Sequence, residues 1–354
     1  MNLQIISIGE ALPGRDLPGL EVSNERMWQA LSHFQQDQGL DFPLPEPDFA
    51  IDRVGVRSRR ILDARLNAYD MGLCAARQAV QRAQLDLGQY RVVVVSSVTP
   101  DSIAPPQSAL LQGDLGFGND LVAFDLPSGC NGFLSGLHLM QSLLAPFPEG
   151  TAGLLVTSEA MTRVVDATDR TTCVIFGDAA AATVVVRSGR EGVGEVAWST
   201  RGAKGPLIQI AHGPGPSYRF HVDGDQLGVR ADAHCSWRVL MQGRQVFKDM
   251  VSDLPERIQL ELQRRGRRLE DYQLVAFHQA NQRIVEAVCR RMQVPEERVL
   301  SNIAQLGNTS SASIPLLLSQ SVASGQLLPD QRVLMVGFGT GYSVGVSELI
   351  WGPT

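Results

Sequence analysis

The second half of this 354-residue chain repeats the first at a nearly constant interval. Val92-Val-Val-Val-Ser-Ser matches Leu274-Val-Ala-Phe-His-Gln, and Leu126-Pro-Ser-Gly-Cys-Asn-Gly-Phe-Leu-Ser-Gly matches Ala304-Gln-Leu-Gly-Asn-Thr-Ser-Ser-Ala-Ser-Ile. Further on, Gly153-Leu-Leu-Val-Thr matches Val333-Leu-Met-Val-Gly, and Ala182-Thr-Val-Val-Val matches Val344-Gly-Val-Ser-Glu-Leu. The offsets are 182 residues (92 to 274), 178 (130 to 308) and 179 (154 to 333). A repeat this long means two structural copies rather than a solenoid. Each copy alternates strands with helices and closes on consecutive strands, which predicts an α/β fold of two mixed sheets packed around shared helices. The expected halves are residues 1–186 and 236–354, joined by a Gly-rich, polar connection at 187–235; the first copy carries an insertion at 160–173 that the second lacks. A long insertion beside a site serves as a lid or binding loop.

One stretch stands out inside the first copy. An apolar run ending at Phe124 is broken by Pro127, Ser128 and Gly129, and Cys130 then opens the helical pattern Phe133, Leu134, Leu137, Met140. A cysteine at a helix start meets unpaired N–H groups and the positive end of the helix dipole, so a lowered thiol pKa is expected there. Gly129, Gly132 and Gly136 leave room for close backbone approach. The competing reading is a buried structural cysteine. On the duplication, the helices opened by Cys130 and Asn308 are pseudo-equivalent and converge at the centre.

Composition excludes several classes. Hydrophobic content of 44%, charged content of 19% and a net charge of −6 describe a folded acidic protein, not a nonspecific nucleic-acid binder. No apolar run approaches the ~18 residues that span a bilayer, and Met1-Asn-Leu-Gln-Ile lacks a basic signal-peptide start, so a cytoplasmic location is expected. The five cysteines (74, 130, 173, 235 and 289) form no CxxC pair or Cys/His cluster; free thiols and no metal site are expected. A helix is expected near Asn24 to Gln38, followed by an irregular Pro-rich passage at Pro43 to Pro47 over the surface or the mouth of a site. Arg53-Val-Gly-Val-Arg-Ser-Arg-Arg60 reads either as a solvated basic face or as a functional strip.

Three polar residues fall at strand ends or helix starts: Cys130, His278 and Asn308. Drawn together, they suit acyl transfer through a thioester, with Cys130 as nucleophile and the other two as donors to a developing enolate or oxyanion. A hydrolase in which Asn308 merely orients His278 uses the same residue types, and spacing leaves both readings open.

Ser128-Gly-Cys-Asn-Gly-Phe, His278-Gln-Ala-Asn-Gln-Arg-Ile, Gly307-Asn-Thr-Ser-Ser-Ala-Ser-Ile-Pro, Thr168-Asp-Arg with Phe176-Gly-Asp-Ala, and Gly337-Phe-Gly-Thr-Gly-Tyr resemble, in order and over nearly the whole chain, the type III β-ketoacyl-acyl-carrier-protein synthases of the thiolase fold. The resemblance implies a layered αβαβα architecture and a decarboxylative Claisen condensation, in fatty-acid initiation or a secondary-metabolite pathway. Cys130 would carry the acyl group, and His278 and Asn308 would hold the malonyl-type thioester. The backbone N–H groups of Cys130 and Thr340 would form the oxyanion hole. It further implies coenzyme A or pantetheine contacts at Phe49, Arg53, Arg170, Gly243 and Asn281, and carrier-protein docking at Lys248, Arg283, Arg290 and Arg291. Substrates would be coenzyme A or phosphopantetheine thioesters with no permanently bound cofactor, and the protein would be a homodimer with Asp101 to Ser108 at its interface. Four departures point to a primer other than acetyl-coenzyme A: Phe49 stands where the family has Trp, Thr171 replaces a Gly, Thr340 interrupts a glycine run, and the N-terminal excursion is longer. The alternative activity is acyl transfer from Cys130 to an oxygen or nitrogen nucleophile without decarboxylation.

Overall fold

Two sheets carry the duplication. The computed structural model describes residues 2–213, 217–232 and 237–352, so Cys235 lies outside the described residues. In the first sheet the strand order is Asn2–Ala11, Ala179–Ser188, Ala152–Glu159, Tyr90–Ser96, Val122–Leu126. In the second it is Ala197–Thr200, Ser343–Ile350, Arg332–Gly339, Leu274–Phe277. The strand directions agree: 90–96 runs parallel to 152–159 as 274–277 does to 332–339, 122–126 is also parallel to 90–96, and the other pairs of both sheets are antiparallel. The fifth strand of the first sheet shrinks in the second to one bridge, Val275 to Val299.

Alternation along each strand sorts the layers. Val92 and Val94 face the central helices Gly132–Leu144 and Ser313–Ala323, while Val93 and Val95 face the outer helix Ala68–Ala83. In the second sheet Leu274 and Ala276 face the same central helices, and Val275 and Phe277 the outer helices Gly243–Arg264 and Gln282–Met292. Helix, sheet, helices, sheet, helix is the αβαβα thiolase-like arrangement expected. The central helices are buried on most sides, which is why their sequences are apolar almost all round.

One expectation needs correction and one open reading is divided. Val92 pairs with Gly153 and Leu274 with Val333, giving offsets of 182 and 180, and the left-handed residues of the two helix starts, Gly129 (φ 56°) and Ser310 (φ 50°), are 181 apart. Cys130 is therefore the counterpart of Ser311, not of Asn308. The basic strip is split between its two readings: Arg53 and Arg57 are exposed, whereas Arg59 is buried. Arg59 is 1% exposed, and its guanidinium donates to the Val22 and Val174 carbonyls at 3.5 and 3.1 Å, tying the antiparallel pair Gly19–Ser23 and Ser58–Leu62 to the chain just after the insertion.

The helix expected at Asn24–Gln38 forms there, its first turn capped by Ser23 and its end set by Gly39 in the left-handed region. Pro47 ends the irregular passage by opening Pro47–Val54, with Pro in the first turn where its missing N–H costs nothing. The 160–178 segment occupies a connection that the second half makes with Thr340–Tyr342. It packs with these N-terminal elements into a separate apolar cluster above the central helices. The segment read as a connection also holds the Ala197–Thr200 edge strand, the hairpin Ser217–Asp223 with Gln226–Asp232, and Ile208–His212, which pairs with Trp237–Met241.

Candidate active site

Cys130 sits in the tight turn Gly129–Asn131 that leads into Gly132–Leu144. Gly129 has to be glycine: its φ is +56°, and a Cβ there would stand 1.9 Å from Thr340 Oγ1. The Gly337–Tyr342 turn thereby closes directly over the cysteine; a Cβ on Gly339 would lie 3.0 Å from Cys130 Sγ. The N–H groups of Thr340 and of Cys130 itself are directed at the thiol, the two groups named for the oxyanion hole. Ser310 Oγ lies 4.0 Å from Sγ. The lowered thiol pKa expected from the helix start does not occur. Burial, and then the neighbouring Glu159 carboxyl, push the thiol up to about 11, because what surface Cys130 keeps opens on an apolar cavity rather than bulk water.

His278 follows the last residue of Leu274–Phe277, its N–H still bonded to Val336 O at 2.8 Å. It is fully buried, and desolvation pushes its pKa down to about 3, so the ring is neutral at pH 7. Nδ1 is 2.7 Å from Ser313 Oγ, while Nε2 has no protein partner. Asn308 is anchored differently. Its Oδ1 accepts the Ser310 N–H at 2.8 Å, and its backbone bridges to Phe176, just after the insertion. That bond assigns the amide: Oδ1 is occupied, leaving the Nδ2 hydrogens for the cavity. His278 and Asn308 are thus held independently. The hydrolase reading needs Asn308 on the imidazole, and Ser313 takes that place.

Cys130, His278 and Asn308 line one cavity with Ser310, Phe338 and Thr340, and its walls are otherwise mainly apolar, with Met161, Phe176, Ile210, Val239, Met241 and Met250. Gly243 and Asn281 line it as well; the Asn281 amide is also engaged, capping Gln282–Met292 through the Arg283 N–H and donating to Arg53 O at 3.3 Å. Phe49, Arg53 and Arg170 do not line the cavity but meet one another, with the guanidinium carbons of Arg53 and Arg170 at 5.7 and 5.3 Å from the Phe49 ring centre. Arg283, Arg290 and Arg291 line a separate surface groove with Phe247 and Glu286, and Lys248 is exposed on the same helix as Phe247. In the Asp101 to Ser108 segment Ile103 is fully exposed.

The sequence reading assigned no role to Glu159, Ser310, Ser311 or Ser313. Glu159 left one signal, an acid closing a strand whose every residue is buried. The serines were inside a quoted motif, but which partner each hydroxyl meets depends on the fold.

A family model for 3-oxoacyl-[acyl-carrier-protein] synthase III matches residues 124–202, and one for the C terminal part of the same synthases matches 262–351. The beta-ketoacyl-[acyl-carrier-protein] synthase III of Nitratidesulfovibrio vulgaris (strain DSM 19637 / Miyazaki F) is 38% identical over 298 residues, covering 84% of this chain and 87% of that one. The crystal structure of 3-oxoacyl-(acyl carrier protein) synthase III from Pseudomonas aeruginosa PAO1 aligns with a TM-score of 0.81 at 28% identity, covering 99% of each chain. The priming β-ketosynthase of the R1128 polyketide biosynthetic pathway aligns with a TM-score of 0.81 at 29% identity, over 100% of this chain and 97% of that one.

Proposed function

Because this chain belongs to the β-ketoacyl-acyl-carrier-protein synthase III family, we propose that it joins an acyl group carried on Cys130 to the carbanion left when a malonyl-type thioester loses carbon dioxide. The observation that carries this reading is the independent anchoring of two neutral donors beside a thiol in one apolar cavity. As the carboxylate departs, charge develops on the thioester oxygen, and His278 Nε2–H and Asn308 Nδ2–H stabilise it. Neither donor is charged, so neither quenches the carbanion by handing it a proton. The carbanion then attacks the Cys130 thioester, whose oxygen meets the Cys130 and Thr340 N–H groups. Apolar walls exclude the water that would otherwise hydrolyse that thioester.

The donor side follows from charge and shape. Arg53 and Arg170 flanking Phe49 suit the nucleotide end of coenzyme A, since guanidinium groups bind phosphate and stack on planar rings. Gly243 and Asn281 would border the pantetheine arm. The Arg283, Arg290 and Arg291 groove, with Lys248 beside it, would receive an acidic carrier protein. A homodimer would form along the outer edge of Val122–Leu126 and the exposed Ile103. Among the described residues no helix is long and apolar enough to cross a membrane.

The test incubates the protein with an acyl-coenzyme A and then with a malonyl-carrier thioester. Expected are a mass increment on Cys130 and carbon dioxide released in step with β-ketoacyl product. Acyl transfer to an oxygen or nitrogen nucleophile with no carbon dioxide would replace this reading with the alternative. A mass increment surviving Cys130→Ala would remove Cys130 as the carrier.

A further inference from the structure

Acylation of Cys130 has to dispose of a thiol proton, and His278 in the Nε2–H form that the proposed function uses cannot take it. Ser313 Oγ accepts the Gln279 N–H at 3.4 Å and lies 2.7 Å from His278 Nδ1; its own hydrogen is assigned to that nitrogen, the arrangement that turns an Nε2–H donor to the cavity. With Nδ1 occupied as an acceptor, the neutral ring carries its hydrogen on Nε2 and presents no lone pair to the cavity. The thiol itself holds its proton tightly, since the site is dry.

A buried carboxyl that condensation leaves unused lies on the other side of the cysteine. Glu159, with no exposed surface, closes the strand Ala152–Glu159. Its Oε1 is met by Ser311 Oγ at 2.7 Å and Ser310 Oγ at 3.2 Å. Its Oε2 is met by the Val98 N–H at 3.0 Å, Thr99 Oγ1 at 3.1 Å and Ser97 Oγ at 3.5 Å. Donors converging on both oxygens describe the pocket of a carboxylate. Ser310 Oγ is also 4.0 Å from Cys130 Sγ. A serine has one hydroxyl hydrogen, and a carboxylate draws it more strongly than a sulfur does. The hydrogen in the Ser310–Cys130 contact is then the thiol's own.

We propose that Glu159 is the proton acceptor for acylation of Cys130, reached through the Ser310 hydroxyl. As Sγ bonds to the acyl carbon of the donor, the S–H bond breaks; its proton passes to Ser310 Oγ while the Ser310 proton passes to Glu159 Oε1. Collapse of the tetrahedral intermediate breaks the acyl carbon–sulfur bond of the donor. The departing thiolate takes a proton back along the same pair, leaving Glu159 ionised as it began. Burial raises the proton affinity of Glu159, which makes it a better base than an exposed carboxylate. The elements packed on Glu159 present hydroxyls and one backbone N–H; the titratable group facing it is Cys130, and His278 borders the same cavity in its neutral form.

This proposal rests on Cys130 being the acyl carrier, and single-turnover acylation of the full chain by butyryl-coenzyme A, followed by intact mass from about pH 6 to about pH 10, separates the two. Glu159→Gln keeps the size and a hydrogen-bonding oxygen. It is expected to acylate about 100-fold more slowly at pH 7, with the gap to wild type narrowing about tenfold per pH unit as the thiol ionises to solvent. Ser310→Ala should show the same deficit and slope, and the double variant should be no slower than either single one. A Glu159→Gln rate within about threefold of wild type at pH 7 overturns the relay. So does a deficit of constant size across pH, which marks structural damage. Failure of the wild type to acylate at all removes the condensing-enzyme reading, and the relay with it.

Discussion

Gly129–Asn131 and Ser310–Ala312 are the same tight turn made twice, each with a left-handed first residue and each leading into a central helix. They differ in what they carry. The first is stripped of side chains around its cysteine: a Cβ on Gly129 would strike Thr340, and one on Gly132 would lie 2.0 Å from Ser96 Oγ and 2.8 Å from Ser311 Cβ. The second carries hydroxyls at the matching places, and each has a partner: Ser310 and Ser311 on Glu159, Ser313 on His278. One copy has been cleared so that a nucleophile and an acyl group fit, and the other furnished so that proton positions around them are fixed. Duplication made this division possible because both turns point into one cavity from opposite halves.

The sharpest way to break the furnished side is Asn308→Asp. The Ser310 N–H still has an oxygen to bond, so the fold should persist, while the Nδ2 donor becomes a second carboxylate oxygen facing the enolate. Decarboxylation of a malonyl thioester should fall by about 1000-fold, read as carbon dioxide release beside an unchanged melting temperature. A fall of less than about tenfold would mean that Asn308 does not meet developing charge.

The cleared side breaks by addition. Gly129→Ala puts a methyl group into Thr340 and an L side chain into the left-handed region, and should cost at least about 2 kcal/mol in a denaturant titration. Adding Thr340→Gly should return the steric share and leave the backbone share. Ser310→Gly, the converse change at the matching position, should alter stability by less than about 1 kcal/mol, since relief of the strained φ offsets the lost hydrogen bonds. Equal costs at the two positions would erase the contrast between the turns.

The same contrast explains what the sequence revealed. Strand runs such as Val92–Val95 and the apolar periodicity after Cys130 announced both copies, because burial on two faces forces β-branched and apolar runs whatever the partner. The register of the two turns was misread by three residues. In the first half Leu126 leads to Gly129 directly, whereas the second replaces the strand with a bridge at Val299 and inserts the short helix Ile303–Leu306 before Ser310. Matching letters then fell on Asn308. The thiol pKa was misread because a helix start is visible in a sequence, but the dry cavity and the Glu159 carboxyl beside it come from segments far along the chain. The strip 53–60 stayed ambiguous for the same reason: the carbonyls that take the Arg59 guanidinium belong to Val22 and Val174.

A titration separates the two strand ends above these turns. The register that pairs Val92 with Leu274 places Ser96 opposite His278, so only the second copy has an ionisable group there. A histidine held down to about 3 in the folded protein takes no proton there between its unfolded value near 6.5 and that point, whereas the unfolded chain does. Stability is therefore complete above about pH 6.5 and drains away as pH falls, by about 2 kcal/mol at pH 5 from this residue. The difference in unfolding free energy between about pH 7.5 and about pH 5, read from denaturant titrations, should shrink by that amount in His278→Gln. An unchanged difference would mean that His278 is protonated in the fold and acts as a cation.

The smallest effect tests how that imidazole is oriented. In the first copy the strand-end residue Ser96 meets Gly132, and in the second His278 meets Ser313, a bulky ring received by a hydroxyl where the other half has a small side chain received by bare backbone. Ser313→Ala keeps the packing and removes the hydrogen that Nδ1 accepts, so the ring can shift its own hydrogen from Nε2 to Nδ1 and lose its donor to the thioester oxygen. The expected result is a roughly tenfold lower kcat for decarboxylation with KM nearly unchanged, since the donor matters most where charge develops. Nitrogen chemical shifts of His278 should move toward the Nδ1–H tautomer in the same variant. A lowered kcat with the Nε2–H signature intact would show that Ser313 acts through packing alone, and would make the two helix starts more alike than their side chains suggest.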